Sequence, residues 1–175
     1  LSQAEHGIDS QVVLVASSEN LVDEVKNELD RQLPLLTRKE IAGAALKNSR
    51  LIVMEDPAAA FDLLNEYAPE HLIIASDNAI ALSDKVINAG SVFLGHYSPE
   101  SVGDYASGTN HTLPTNGFAK AYSGVSLDSF VKKITFQHLD EAGLKNIGAS
   151  VEIMAAAEGL DAHKNAVTVR LNSIK

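Results

Sequence analysis

Residues 11–34 read QVVLVASSENLVDEVKNELDRQLP, and this stretch decides the class of fold. Gln11–Ala16 is a short β-branched apolar run, the signature of a buried strand. A serine pair follows, and apolar residues then recur at Leu21, Val22, Val25, Leu29 and Leu33. That spacing lines one face of a helix, with serine as its starting cap and Pro34 as its stop. The unit is therefore strand, cap, amphipathic helix, break.

The pattern repeats downstream. A small-residue helix is expected over 37–48 and a strand at Arg50–Met54 (RLIVM). Asp56 then caps a helix with Pro57 at its first position, where a missing N–H costs nothing. Leu72–Ala75 (LIIA) reads as a strand, Asp77–Asn88 as a helix and Ser91–Leu94 (SVFL) as a strand. Strands separated by helices of this length predict an α/β fold whose parallel sheet is flanked by helices.

The texture changes at Gly95. Residues 95–117 are rich in Gly, Ser, Asn, Pro and Thr and read as one long loop. Compact domains rarely keep such loops without a functional reason. Beyond it, a short helix is expected at Leu127–Lys133 and an extended piece at Ile134–Gln137. A long helix is expected over Asp140–Glu158, stopped by Gly159. Ala162–Leu171 fits a final helix, although its VTVRL run also suits a strand. The expected division is an α/β domain over 1–125, carrying the loop 95–117, and a mainly helical extension over 126–175.

Composition excludes several classes of function. The 23 acidic against 14 basic residues give a net charge of −9, a field that repels nucleic acid. With no cysteine there are no disulfides, thiolate metal sites or cysteine nucleophiles. No apolar run reaches the roughly 18–20 residues that span a bilayer. No secretory leader is visible at the start. A cytoplasmic location is expected. Leu1 opens the chain, and two candidate site residues lie within six positions of it. We therefore expect further chain upstream.

Four places carry residues suited to chemistry. Gln3-x-x-His6 offers an amide oxygen and an imidazole on one side of a helical turn; taken alone it is also an ordinary polar turn. Glu70-His71 puts a carboxyl and an imidazole side by side before a strand, a pair suited to general acid/base work, or simply a solvated strand entrance. Asp104 and His111 lie in the Gly-rich loop, where they are candidate oxygen and nitrogen ligands or parts of a structural loop. Glu158 and His163 flank the end of the long helix, as candidate site residues or simply a helix-terminal acid and a solvated histidine. Together Gln3, His6, Asp104 and His163 form a possible ligand set without sulfur, which suits an exchangeable catalytic metal.

The strings SQAEHG (2–7), PEHL (69–72), GSVFLG (90–95), SPES-x-GDYASGTNH (98–111) and AAAEGLDAHKNAVTVR (155–170) resemble histidinol dehydrogenase. The resemblance runs in order from residue 2 to the end. It implies an incomplete Rossmann-like sheet with a small helical C-terminal extension, the C-terminal part of a much longer enzyme. It implies two successive NAD+-dependent oxidations, from L-histidinol through L-histidinal to L-histidine, in histidine biosynthesis. It also implies Zn2+ held by Gln3, His6, Asp104 and His163, and a substrate site shared by those residues with His71 and Glu158. His71 would take the alcohol proton and Glu70 would activate water. His111 would be a further residue of the substrate site. The family resemblance further implies a homodimer in which residues matching Glu158 and His163 serve the partner's site. No GxGxxG follows a strand, so no NAD+ ligand is assigned within this chain, and the chain alone is expected to be inactive. A non-catalytic dimerisation module that keeps old site residues is a competing reading. A metal hydrolase is another.

Overall fold

A computed structural model describes residues 1–174. It contains two compact units, one spanning Leu1–Val131 and a second beginning at Lys132.

In the first unit, strand β1 (Val13–Ala16) runs parallel to β2 (Arg50–Val53), with Val13 opposite Arg50. Between them lie helices α1 (Glu19–Gln32) and α2 (Lys39–Asn48). Ser18 caps α1 from an extended conformation, its Oγ accepting the Leu21 N–H at 3.3 Å. This satisfies one of the helix's orphan donors, a role typically worth about 1 kcal/mol. Pro34 falls in a short 3-10 turn, Leu33–Leu35, that ends the helix as expected.

Helix α2 presents Ala42 and Ala45, both fully buried, to the turn Gln3–Glu5. Fully buried Ala4 completes that cluster, with Val12, Leu33, Leu36 and Leu46 around it. Small side chains let the turn approach the helix closely, and this packing fixes where Gln3 sits.

Asp56 caps α3 (Pro57–Tyr67) by accepting the Ala58 N–H at 2.9 Å. Strand β3 (His71–Ile74) then pairs in parallel with β4 (Ser91–Leu94), His71 opposite Ser91. Side chains alternate across a strand. Leu72 and Ile74 are buried with Phe61 and Ala79, and Val92 and Leu94 pack against that core. Burying a side chain of the size of Leu72 or Ile74 contributes about 1.5–3 kcal/mol. His71, Ser91 and Phe93 occupy the alternate positions. The four strands thus form two parallel pairs, β1–β2 and β3–β4, rather than one continuous sheet.

Two expectations are corrected here. Helix α4 covers only Ala79–Ser83, not 77–88. The Asn65 side chain accounts for the early stop. Its Oδ1 accepts the Ile87 and Asn88 N–H groups at 2.7 and 3.2 Å, and its Nδ2 donates to the Lys85 carbonyl at 2.9 Å. Those groups are taken up by a side chain from α3 instead of a helical ladder. The long loop after β4 also holds a helix, α5 (Glu100–Tyr105), too short and glycine-interrupted to show a periodic face.

In the second unit, α6 (Glu141–Ala157) and α7 (Asp161–Ser173) pack antiparallel. Gly148 faces Leu171, and the Thr168 hydroxyl donates to Glu152. The link is a tight reversal. Gly159 has φ +71°, its N–H bonds the Ala156 carbonyl at 3.1 Å, and the Leu160 N–H bonds the Ala155 carbonyl at 2.8 Å. That paired pattern closes a helix in the way glycine favours. The VTVRL run is therefore helical. Near the end of the first unit, Leu127–Phe130 is a 3-10 turn rather than a longer helix, and in the second unit residues 134–137 join no strand. No helix among the described residues is long and apolar enough to cross a membrane.

Candidate metal centre

The face of the β3–β4 pair carrying His71 and Phe93 meets α5. The two rings stack, with centroids 5.9 Å apart and planes 26° apart. Gly103 of α5 lies so close to Phe93 that a Cβ there would stand 2.6 Å from Cε1 of the ring. Only glycine permits this approach. It brings the helix down onto the strands and places its acidic residues beside the imidazole.

A ring nitrogen of His71 and carboxylate oxygens of Glu100 and Asp104 all lie within 4.8 Å of one another. Glu100 and Asp104 are four residues apart, so they share a face of α5. Glu100 is the buried charged residue of this unit, 3% exposed, while His71 and Asp104 are half-buried. Its carboxylate accepts a hydrogen bond from Ser2 Oγ at 2.9 Å. That bond brings the turn bearing Gln3 beside α5, across 98 residues of sequence.

Two carboxylates this close repel one another when both are charged. Ser2 supplies a neutral donor and no positive charge. The Nε2 atoms of Gln3 and His71 are also buried without a hydrogen-bond partner. Buried polar atoms in native proteins are almost always satisfied. A glutamine amide can also turn its oxygen toward the position its nitrogen holds. Both the charge and the open polar positions fit a bound cation. Asp104 can offer such an ion a hard oxygen, with the His71 imidazole and the Glu100 carboxylate beside it.

The other candidate residues are placed as follows. His6 ends the first turn and is exposed, its carbonyl accepting from Arg38 Nη2 at 3.2 Å. Glu70 is half-buried just ahead of β3, and its carbonyl accepts the Ser91 N–H at 2.9 Å. Gly90 passes against that carbonyl so closely that a Cβ would stand 2.6 Å from the oxygen. Its absence of a side chain seats the Glu70-His71 entrance. His111 is exposed. Glu158 caps the end of α6 and His163 lies in the first turn of α7, both exposed and both in the second unit. The cluster thus unites His71 with Asp104 and adds Glu100, which sequence reasoning did not single out. The signal was present: Glu100 stands in the quoted SPES-x-GDY string, one helical turn before Asp104. The Gly, Ser and Pro around it mask the helical turn.

The sequence model of the family described as histidinol dehydrogenase matches residues 1–171. The chain belongs to the histidinol dehydrogenase family. It is 63% identical to the histidinol dehydrogenase of Bacteroides thetaiotaomicron over 175 residues, all of this chain and 41% of that protein. It is 53% identical to that of Colwellia psychrerythraea over 171 residues, 98% of this chain and 39% of that one. A crystal structure of histidinol dehydrogenase from Elizabethkingia anophelis superposes with a TM-score of 0.92 at 57% identity. That match covers 99% of this chain and 40% of the other. The chain therefore spans about two fifths of the length of these relatives.

Proposed function

We propose that the protein carrying this chain oxidises L-histidinol through L-histidinal to L-histidine, reducing two NAD+, in the cytoplasm. Family membership supports the reaction class. The observation that carries the assignment to this region is the convergence of His71, Glu100 and Asp104, with the turn that bears the unsatisfied Gln3 amide tied to Glu100 through Ser2. A Zn2+ ion would be held by Gln3, His6 and Asp104 of one protomer and by His163 of the partner subunit. When bound, it supplies a fixed Lewis-acid point that orients the substrate's imidazole and amino nitrogens.

The chain's own residues then divide the work. His71 takes the proton from the substrate alcohol oxygen as the carbinol hydrogen leaves as hydride to NAD+. Its stacking on Phe93 limits the ring's rotation, so its proton-accepting nitrogen is held in one direction. Glu70 takes a proton from water, which adds to the aldehyde carbon. The resulting hydrate loses the second hydride, and His71 again accepts the hydroxyl proton. Glu158 contacts substrate, and His111 is a further residue of that site. Splitting the two proton tasks between neighbouring groups suits a four-electron oxidation at one carbon.

The partner in this proposal is a second copy of the protein, to whose site Glu158 and His163 contribute. Exposed apolar side chains support an interface near the second unit. Phe136 is 91% exposed and Ile153 70%, and Ile134 is also exposed. Surfaces of this kind are common where another chain packs. The nicotinamide site is proposed to lie in sequence beyond this chain. The test is NADH formation from L-histidinol by the protein expressed from the full reading frame.

A further inference from the structure

The Ser2–Glu100 hydrogen bond joins the two segments that carry the first three proposed ligands. Gln3 and His6 stand on the first turn and Asp104 on α5. We infer that Glu100 is a positioning residue: through Ser2 it clamps the Gln3–His6 turn to the Asp104 helix, setting the metal-binding geometry without being one of the four ligands. This rests on the zinc-site reading above.

Three observations support it. Glu100 is 3% exposed, and a carboxylate is kept that dry only where it has a specific partner. The Ser2 bond is a hydroxyl donating to an ionisable acceptor at 2.9 Å, the stronger class of hydrogen bond when that acceptor is charged. The turn's other holds do not reach α5. Its Ala4 side packs on α2, Arg38 Nη2 donates to the His6 carbonyl, and its own backbone bonds, Glu5 N–H to the Leu1 carbonyl and His6 N–H to the Gln3 carbonyl, are local. The Ala4 packing fixes the turn's depth. The Ser2–Glu100 bond fixes its approach to α5.

Ser2→Ala, Glu100→Ala, Glu100→Gln and the Ser2→Ala/Glu100→Ala double variant test this in the full-length protein. Amide hydrogen exchange over residues 1–10 is the first readout, because it needs neither metal nor turnover. Exchange at Glu5 and His6 is expected to rise about tenfold in Ser2→Ala and in Glu100→Ala. The double variant should rise no further, since both changes remove one interaction. Glu100→Gln keeps an acceptor oxygen and should recover most of the protection. Zinc loss to a chelator is the second readout, and it should accelerate in the same order. Unchanged exchange in both single variants, or fully additive effects, would overturn the clamp. Accelerated exchange with unchanged zinc loss would overturn its link to the metal. Failure of the wild-type protein to oxidise histidinol would instead strike the functional reading and leave the exchange result standing.

Discussion

The His71 imidazole lies against the Phe93 ring, 5.9 Å between centroids, and Gly103 presses on Phe93 at its edge. The orientation of the proposed base thus depends on a residue ten positions away along the chain from the ring it touches. Gly103→Ala would put a methyl 2.6 Å from Phe93 Cε1 and 2.8 Å from Thr109 Oγ1. Phe93 is buried and has little freedom to yield. The substitution is expected to cost about 1–3 kcal/mol of stability. It should also lower kcat more than tenfold by displacing His71. Thermal unfolding and steady-state kinetics check the two effects separately.

Asn65 replaces the expected second half of a helix with side-chain bonds to residues 85–88. Asn65→Ala removes an acceptor shared by two backbone N–H groups and a donor to a carbonyl. We expect a loss of about 2–3 kcal/mol, because the stranded backbone groups must find water or refold locally. Denaturant titration measures it. A change below 0.5 kcal/mol, within the range of about ±0.5 kcal/mol usual for surface substitutions, would show that the 85–88 segment is held by other contacts.

Glu70→Gln removes a carboxylate without changing its shape. If Glu70 activates water only for the second oxidation, L-histidinal turnover should fall about 10²–10⁴-fold. Hydride transfer from L-histidinol in a single turnover should change much less. Rapid-mixing measurements with each substrate distinguish the two steps. An equal loss on both would move Glu70's role to binding or to the first step.

Chelation should remove zinc and activity together, with recovery on adding Zn2+ back. Asp104→Ala and His6→Ala in the full-length protein should each reduce stoichiometric zinc to well below one per protomer, read by elemental analysis after gel filtration. Retention of a full equivalent in both would contradict the ligand assignment.

The order of strands and helices was legible because β-branched runs, caps and breaks at Ser18, Pro34 and Asp56 are local signals. What escaped was set by distant contacts. Nothing near residues 84–88 announces that Asn65 will take their backbone groups. Glu100 reads as one acid in a Gly- and Ser-rich segment until α5 docks on Phe93. The split into two strand pairs likewise depends on pairing partners, which no run of residues encodes by itself. In the candidate site, the motif strings drew attention to His71 and Asp104. The buried Glu100 and the Ser2 bond became visible only with the fold.

The most direct measurement is NADH production at 340 nm from L-histidinol and NAD+, using zinc-loaded protein from the full reading frame. Two NADH per histidinol consumed, with L-histidine as product and loss of turnover in His71→Ala, is the result predicted. Zinc-loaded, folded protein that forms no NADH from histidinol, or that keeps full turnover without His71, would contradict the account.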